Sequence, residues 1–597
     1  MKKYDAFFAG QEKRAYRLFG SHPYRGGVRF TLYAPHAYRV SCLSSFDNWH
    51  GEYFFRKIDE RGVWRLFIPN IRPIYSYRYR LYKNEKEFQD RIDPYAYYFE
   101  RRPATAACMY DLNYYTFQDS SWQKRKKEGA CSIYELHLNS FWKEGALATL
   151  PELEKRLIPY LLENGFTHVE IMPIFEHPLD ASWGYQASGF YGVTSRYGTP
   201  YDFMQFIDRC HQAGIGVFLD VVYAHFVADE FALAKYDFAP VYEYQEAHLQ
   251  RTEWGSYYFS LYQGPVISFL MSSAFFYIDR YHVDGLRFDA VSHFIYHQGS
   301  TEKGLNVEGL SFIKRLNYAL KKSYPKVLLM AEDSSAYPQV TTKVEEGGLG
   351  FDYKWDLGWM NDTLRYYSAC FAQRKNLHHL ITFSMYYFYS EHFLLPLSHD
   401  EVVHGKKTII DKMYGNYQQK FSGCRNLFVY MFTHPGKKLN FMGNELAHFR
   451  EFDENKSLDW SLLQYPQHQK FQHFFRDLNH LYKSSISLSQ SEYDIKHFHW
   501  IDCNNADQSI FSYYREVEQE VTIVILNMKD IAYDQYRIGI PYGGIYQEIL
   551  NSEWQKYGGT EVQQADVESE KIAYHGLDYS LSLRIAPYAG IVLRYRK

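Results

Sequence analysis

The chain has 597 residues, a formal net charge of −3 and 19% aromatic residues. The nearly balanced charge argues against nucleic acid or an acidic membrane as the partner. Seven cysteines with no C-x-x-C pair argue against a disulfide framework or a zinc site and fit a reducing compartment. The aromatic content suits a carbohydrate binder, although a Tyr-rich core would give the same composition.

The first part of the chain is predicted to be all β. Short alternating runs such as Val28–Tyr33, Arg39–Leu43 and Tyr75–Tyr82 are separated by Gly, Pro and Asn, which is typical of a β-sandwich. We predict a sandwich over residues 1–118 and interpret the polar stretch 119–129 as a linker. No long apolar run follows Met1, so we expect no signal peptide, no membrane span and a cytoplasmic protein.

Strands and helices then alternate over residues 119–485. Strand-like runs lie at 132–138, 168–174, 216–222, 285–291, 327–332, 351–357, 393–398 and 438–442. Helical patterns lie between several of them, and eight such strands predict an α/β fold with a (β/α)8 TIM barrel. A doubly wound sheet fits the same alternation, although no G-x-G-x-x-G or Walker loop favours it. Short strands return from about Tyr493, and we predict a C-terminal all-β domain over residues 486–597.

Four acidic residues stand in or directly after apolar, strand-like runs. Asp220 lies inside residues 216–222, Asp289 lies inside 285–291, and Glu332 and Asp400 each end a run. A carboxylate is costly in such a place because burial disfavours its charge. The carboxyl ends of barrel strands gather on one rim, so the four acids predict one shared site. Each acid alone could instead pair with a base or cap a helix.

The residue types suggest chemistry at a glycosidic bond. Arg287 and Asp289 are two apart in a strand and share a face, so the guanidinium would hold Asp289 ionised, as a nucleophile requires. Glu332, from the next strand, would protonate the glycosidic oxygen. Two carboxyl groups about 5–5.5 Å apart in these roles retain the configuration of the sugar. Asp400 would bind sugar hydroxyls, whereas His225 alone indicates an ordinary hydrogen-bonded histidine as readily as a substrate contact.

Several ordered motifs resemble known families. Asp220–His225, Gly285–Val291, Ala331–Ser334 and Ser398–Asp400 resemble the conserved regions of the α-amylase superfamily. Further stretches are similar to those of 1,4-α-glucan (glycogen) branching enzymes, namely Tyr134–Phe141, Glu176–Gln186, Thr194–Pro200, His399–Lys406, Gly436–Glu445 and Lys456–Trp460. The resemblance runs through nearly the whole chain.

The resemblance implies a function and a set of site residues. The expected enzyme is a glycosyltransferase that cleaves an α-1,4 bond of a linear glucan and passes the segment to a 6-hydroxyl, forming an α-1,6 branch by retaining double displacement. Asp289 would be the nucleophile, Glu332 the acid/base and Asp400 the transition-state stabiliser. Arg287, Asp220, His225 and His399 would line the subsite at the cleaved bond, and Tyr185 would stack on that sugar.

The same resemblance implies further properties of the molecule. The N-terminal sandwich would be a glycogen-binding-like module, whose Asn48-Trp49 matches the usual Asn-Trp pair. We expect no required cofactor or metal, an α-1,4-glucan or glycogen as the partner, and a monomer.

Departures from the pattern bear on acceptor binding and on the length of the transferred chain. Tyr223-Ala224 stands where the family usually carries Pro-Gly, and the segment before Glu308 is short and lacks the usual Gly-rich stretch. We also expect no extra N-terminal module of the kind found in longer members. An α-glucan hydrolase of the amylase or debranching type is the nearest alternative. A non-catalytic glucan-binding protein is a second alternative, and it would be expected to have lost one of the three acids.

Overall fold

The N-terminal region is a pair of antiparallel sheets, as the alternating runs predict. The computed structural model describes residues 3–125, 129–145 and 147–596. One sheet has the strand order Gly20–Tyr24, Gly27–Tyr33, Val63–Pro69 and Arg56–Asp59. The other has the order Tyr53–Phe54, Arg39–Ser44, Ser76–Tyr82, Ala107–Cys108 and Tyr98–Phe99, with Phe88–Arg91 beside Ser76–Tyr82.

Eight parallel strands follow and close into a barrel, so the predicted (β/α)8 fold is confirmed and the doubly wound sheet is wrong. In hydrogen-bonded order the strands are Ser132–Leu136, His168–Ile171, Gly216–Val221, Gly285–Phe288, Leu328–Ala331, Tyr353–Trp355, Phe393–Leu397 and Lys437–Phe441. Each lies within or beside one of the predicted runs. Buried on both faces, they read as nearly continuous apolar segments rather than as alternating ones.

Helices connect these strands. The longer ones are Leu150–Glu163, Pro200–Gln212, Gly264–Tyr281, Val307–Ser323, Leu357–Ser368, Tyr417–Thr433 and Pro466–Ser484. Local sequence explains where several begin. Thr199 and Asp202 form a capping box with Pro200 in the first turn, and Asn416 forms another with Gln419, which satisfies backbone N–H groups that have no partner inside the helix.

Shorter elements lie in the connections. Two small hairpins pair Phe175–Glu176 with Gly189–Val193 and His225–Phe226 with Tyr257–Tyr258. The short α-helices are Asp5–Phe8, Ser120–Lys124, Leu138–Phe141, Ala247–Gln250, Ser292–Ile295, Phe371–Arg374, His379–Thr382, Ser384–Tyr387, Ile409–Lys412 and Ile486–Ser489. Within the described ranges, no helix combines the length and the apolar character that crossing a membrane requires.

The chain ends in an all-β region, as predicted. One sheet has the order Phe498–Asp502, Ile510–Val517, Glu520–Asn527, Gly590–Arg596, Ile545–Asn551 and Val567–Glu568, and a second pairs Tyr533–Ile540 with Tyr579–Ile585. Branched aliphatic residues such as Ile523, Ile538, Leu581 and Leu593 form a buried cluster. Such side chains pack well on pleated strands.

The described chain forms two compact units. The first unit consists of Met1–Arg125, His137–Ile158 and Glu170–Asp352, and the second of Lys126–Leu136, Pro159–Val169 and Tyr353–Lys597.

The predicted linker at residues 119–129 is anchored at its start by two buried side chains. Asp119 is buried and bonds the rings of His211 at 3.0 Å and His282 at 2.9 Å. Trp122 is also buried and donates its indole N–H to Asp284 at 2.9 Å. The buried pairing of these side chains outweighs the polar composition of the segment. Residues 126–128 lie outside the described residues.

Candidate active site

The loop that carries Tyr185 is shaped by a left-handed turn in the first unit. Trp183 and Gly184 have φ of 54° and 93°, and a Cβ on Gly184 would lie 2.1 Å from the carbonyl oxygen of Pro173. Only glycine fits this approach. Arg196 holds the loop by ion pairs of 2.9 Å with Glu176 and 2.7 Å with Asp180. These contacts join residues 176–186 to residues 194–200, two of the stretches that resemble branching enzymes.

Arg287 is the centre of the site in the first unit. Its side chain is 1% exposed, and Nη1 lies 2.5 Å from Oδ2 of Asp220 and 2.9 Å from Oδ1 of Asp289. Asp220 is opposite Arg287 in the register of neighbouring parallel strands. Asp289 directly follows the strand of Arg287, so it stays within reach of the same guanidinium. The expected pairing of Arg287 with Asp289 is therefore present.

Glu332 joins the same group, as the predicted shared site requires, but the sequence did not predict that Arg287 contacts Glu332 as well as Asp289. Its Oε2 lies 3.7 Å from Nη2 of Arg287 and accepts the backbone N–H of Ala290 at 2.8 Å. Ala290 has φ of 50°, a left-handed conformation that is rare for a residue with a Cβ. Such backbone strain is often found at functional sites. The backbone after Asp289 is thus bent so that it binds the second carboxylate.

Opposing effects act on the charge of Arg287. Burial opposes the charged form, but Asp220, Tyr185, Asp289 and Glu332 keep the pKa of Arg287 well above its ordinary value. The guanidinium is therefore a permanent cation among the acids. The Tyr185 hydroxyl donates to Oδ2 of Asp220 at 2.6 Å, which fixes the aromatic ring near this cation.

His225 belongs to a neighbouring cluster of rings. It follows the third barrel strand, and its ring centroid lies 5.1 Å from that of Trp254. Trp254 also contacts His293 at 4.9 Å, and the hydroxyl of Tyr258 is 2.8 Å from Nδ1 of His293. Burial lowers the pKa of His225 to about 3 and that of His293 to about 4. Both imidazoles are neutral at pH 7 and pack as aromatic rings.

Trp254 is a candidate site residue that the sequence did not single out. The residue is 44% exposed although its ring contacts two others, those of His225 and His293. The turn that carries it is closed by the hydroxyls of Thr252 and Ser256, which lie 2.6 Å apart. A rigid, half-open indole next to His225 is a flat apolar surface suited to a sugar ring. No spacing or composition signal distinguishes it from a core Trp.

The second unit holds His399 and Asp400 in a short 3-10 helix that Ser398 separates from the strand Phe393–Leu397. Nδ1 of His399 lies 2.5 Å from Oε1 of Glu135, whose Oε2 accepts the backbone N–H of His399 at 3.1 Å. The other ring nitrogen, Nε2, is 3.4 Å from Oδ1 of Asp400. His399 is buried, whereas the Asp400 side chain is 62% exposed. The buried carboxylate of Glu135 thus fixes the ring of His399 next to the accessible carboxylate of Asp400.

Glu135 was missed although a signal was available. It lies inside the apolar strand Ser132–Leu136, the same placement that drew attention to the other four acids. Of the predicted site residues, the structure joins Tyr185, Asp220, Arg287, Asp289 and Glu332 in one network of the first unit. It places His225 beside Trp254, and it pairs His399 with Asp400 in the second unit.

Comparison with known proteins identifies the family. The C-terminal all-β domain of α-amylase matches residues 500–596, carbohydrate-binding module 48 (isoamylase N-terminal domain) matches residues 18–96, and the α-amylase catalytic domain matches residues 150–260. The chain is 43% identical to the 1,4-alpha-glucan branching enzyme GlgB of Bacillus subtilis (strain 168), over 98% of this chain and 96% of that protein. It is 42% identical to GlgB of Bacillus caldolyticus, over 98% and 91%.

The chain belongs to the family of 1,4-α-glucan branching enzymes. Membership confirms the resemblance seen in the motifs and the expected enzyme class, a glycosyltransferase acting on α-glucans.

Solved structures with a similar fold include pullulanase from Bacillus acidopullulyticus, with a TM-score of 0.72, 16% identity and coverage of 97% of this chain and 75% of that chain. The catalytic module of the glycogen-degrading pneumococcal virulence factor SpuA has a TM-score of 0.73 and 16% identity, over 98% of this chain and 100% of that chain. These likenesses confirm the fold.

Proposed function

We propose that Asp289, Glu332 and Asp400 carry the branching reaction as nucleophile, acid/base and transition-state stabiliser. The observation that carries this assignment is the contact of Arg287 with both Asp289 and Glu332, at 2.9 Å and 3.7 Å. A permanent cation 2.9 Å from Asp289 favours its ionised form and fixes its direction. Glu332 is farther from the cation, which makes it the better proton donor of the two. Asp400 follows a strand of the same closed barrel, and the residues that follow barrel strands gather on one rim.

The reaction then proceeds in two displacements. Glu332 gives its proton to the oxygen of the α-1,4 bond as the Asp289 carboxylate attacks the anomeric carbon, so that the C–O bond breaks and a glycosyl ester forms. The Glu332 carboxylate next takes the proton of a 6-hydroxyl on an acceptor chain. That oxygen attacks the same carbon and displaces Asp289. One α-1,4 bond is replaced by one α-1,6 bond with retained configuration, and no redox step occurs.

The surrounding residues hold the sugar rather than react with it. Tyr185 has its hydroxyl bound to Asp220 at 2.6 Å, and this leaves its ring fixed as a platform for the sugar at the cleaved bond. Trp254, supported by His225, offers a second platform for another unit of the glucan. His399 is positioned by Glu135 and acts beside Asp400.

Transfer is distinguished from hydrolysis by following two products together. With amylose as the substrate, iodine staining is expected to fall while reducing ends barely rise, until a debranching enzyme releases the new branches. A rise in reducing ends that matches the colour loss would instead identify an α-glucan hydrolase. If a correctly folded protein changes neither the iodine staining nor the number of reducing ends, a glucan-binding protein without activity would be favoured.

The division of roles is tested by trapping the ester. The anomeric fluoride of a fluorinated glycosyl fluoride leaves with little protonation, so Glu332→Gln is expected to form the glycosyl-enzyme even though it fails on amylose. Asp289→Asn is expected to abolish both reactions, and Asp400→Asn to lose most of the rate while both reacting groups remain. Peptide mass spectrometry locates the label, and an ester on Glu332 or Asp400 contradicts the assignment.

We also propose domain boundaries at 118/119 and 485/486, a cytoplasmic location and a monomer. The contacts of Asp119 with His211 and His282 support the first boundary, because they tie residue 119 to the barrel segment. Expression of residues 119–485 alone tests both boundaries, and light scattering of the full chain tests the monomer.

A further inference from the structure

An open cleft of about 1000 Å³ lies in the second unit. Its wall includes the last two turns of the helix Leu357–Ser368 and the chain from Asp411 to Lys420. Five cationic side chains and two acidic ones line it, which gives the lining a formal charge of +3. The whole chain carries −3. A cleft lined mainly by one sign of charge concentrates ligands of the opposite sign.

The loop that brings two of these cations to the cleft is held in an unusual conformation. His404 and Lys407 have φ of 57° and 67°, which is rare for residues with a Cβ. The carboxylate of Glu451 accepts the backbone N–H groups of Gly405 at 2.9 Å and Lys407 at 2.6 Å. From the other side, Nζ of Lys412 donates to the carbonyl of Lys407 at 2.6 Å. The loop is thus clamped at both sides.

The cations of the cleft fall into two groups. Lys420 is bound to Asp411 at 2.6 Å, Lys412 is used in the clamp, and Lys406 lies 3.4 Å from Glu401. The side chains of Arg365 and Lys407 line the same cleft. In the described part of the chain neither side chain donates a hydrogen bond, although the charge of Arg365 also acts on Asp362 of the same helix. Both are exposed. A planar guanidinium and an ammonium that line one cleft are groups that suit phosphate oxygens.

An aromatic surface accompanies these cations. Tyr414 lines the cleft and is 42% exposed. Its ring meets Phe371 edge to face, with centroids 5.1 Å apart at 89°, and its backbone N–H donates to the carbonyl of Tyr367 at 3.1 Å. The ring is therefore fixed while part of it stays open, as a surface for stacking a sugar requires.

We propose that this cleft binds a phosphate monoester carried on a glucosyl unit. Arg365 and Lys407 take the phosphate, and Tyr414 takes the sugar ring. A neutral glucan could stack on Tyr414 but would form no ion pair with the positively charged lining. The ester can belong to a free hexose phosphate or to a phosphorylated α-glucan. The cleft volume accommodates several sugar units, so both sources fit.

Calorimetric titration of the full-length protein at low ionic strength tests the proposal. Glucose 6-phosphate is expected to bind saturably with one site per chain, and glucose at the same concentration is expected to give no binding. Maltoheptaose carrying a 6-phosphate distinguishes the sources, because Arg365→Gln/Lys407→Gln reports the share of binding that belongs to the cleft. If this share is tighter than for glucose 6-phosphate, the cleft is assigned to a phosphorylated chain; if it is equal, the cleft is assigned to a free hexose phosphate. Inorganic phosphate alone is expected to bind more weakly, because it does not use Tyr414.

Matched variants locate the binding. Arg365→Gln/Lys407→Gln is expected to weaken glucose 6-phosphate binding at least about tenfold, which is about 1.4 kcal/mol. Lys343→Gln, at a residue whose side chain is 79% exposed and outside the cleft, is expected to leave it unchanged. Either of two results overturns the proposal: no saturable binding of any phosphate ester by the wild-type protein, or equal binding by the double variant and the wild type. Binding of glucose as tight as that of its phosphate would show a neutral-sugar site instead.

Discussion

Replacing Arg287 by Met is expected to destabilise the protein and to slow the reaction for two separable reasons. The guanidinium is 1% exposed and lies 2.5 Å from Asp220, whose side chain is 2% exposed. Removing one partner of such a buried pair leaves the other charge uncompensated and costs about 3–5 kcal/mol. The contact with Asp289 is a charge-assisted bond worth about 1.5–3 kcal/mol. Its loss predicts a turnover lower by roughly tenfold to a hundredfold.

A second substitution separates these effects. In Asp220→Asn/Arg287→Met the buried carboxylate is also gone, so the double variant is expected to unfold at a higher midpoint than Arg287→Met. Turnover is not expected to recover, because Asp289 still lacks its cation. Arg287→Lys serves as the control that keeps the charge but loses the planar fork.

The assay is thermal unfolding followed by Trp fluorescence, together with the iodine assay on amylose. Because a chain of several domains need not unfold in two states, midpoints rather than free energies are compared. A midpoint lower by roughly 5–10 °C is expected for Arg287→Met. Equal midpoints for the wild type and Arg287→Met would refute the reasoning. So would a double variant whose midpoint is lowered by the sum of the changes seen in Arg287→Met and in Asp220→Asn alone.

Three further predictions concern residues around the carboxylates. Trp254→Ala is expected to raise KM for amylose several-fold without changing the midpoint of thermal unfolding, whereas Trp254→Phe should retain most of the affinity. A lower midpoint with a normal KM would show that the ring is structural. Glu135→Gln is expected to lower kcat more than KM, because it loosens His399, and an unchanged kcat would exclude this positioning role. His225 has a folded pKa of about 3 against an ordinary value of 6.5, so its contribution to stability is lost as pH falls below about 6.5. The free energy of unfolding is expected to fall by about 2 kcal/mol less in His225→Asn than in the wild type between pH 7 and pH 5. This is visible as a smaller drop in midpoint. His297→Asn is the control, and an unchanged acid slope in His225→Asn would contradict the prediction.

The sequence by itself determined the elements and the main chemistry. Apolar runs separated by helical patterns predict the eight barrel strands, because strands buried on both faces must be apolar throughout. Acids in such runs stand out for the same reason, and this signal found Asp220, Asp289, Glu332 and Asp400. It would also have found Glu135. The family motifs then supplied what spacing could not, such as the importance of Tyr185.

Only the tertiary structure decided which side chains meet. The polar stretch after residue 118 looks like a linker, yet Asp119 and Trp122 are buried, because their partners His211 and Asp284 lie about 90 and 160 residues away. Arg287 reaches Glu332 across neighbouring strands, and Trp254 rests on His225 and His293 through a hairpin. Long-range contacts of this kind depend on how the strands are ordered in the barrel. Local sequence patterns describe single elements and carry no information about that order.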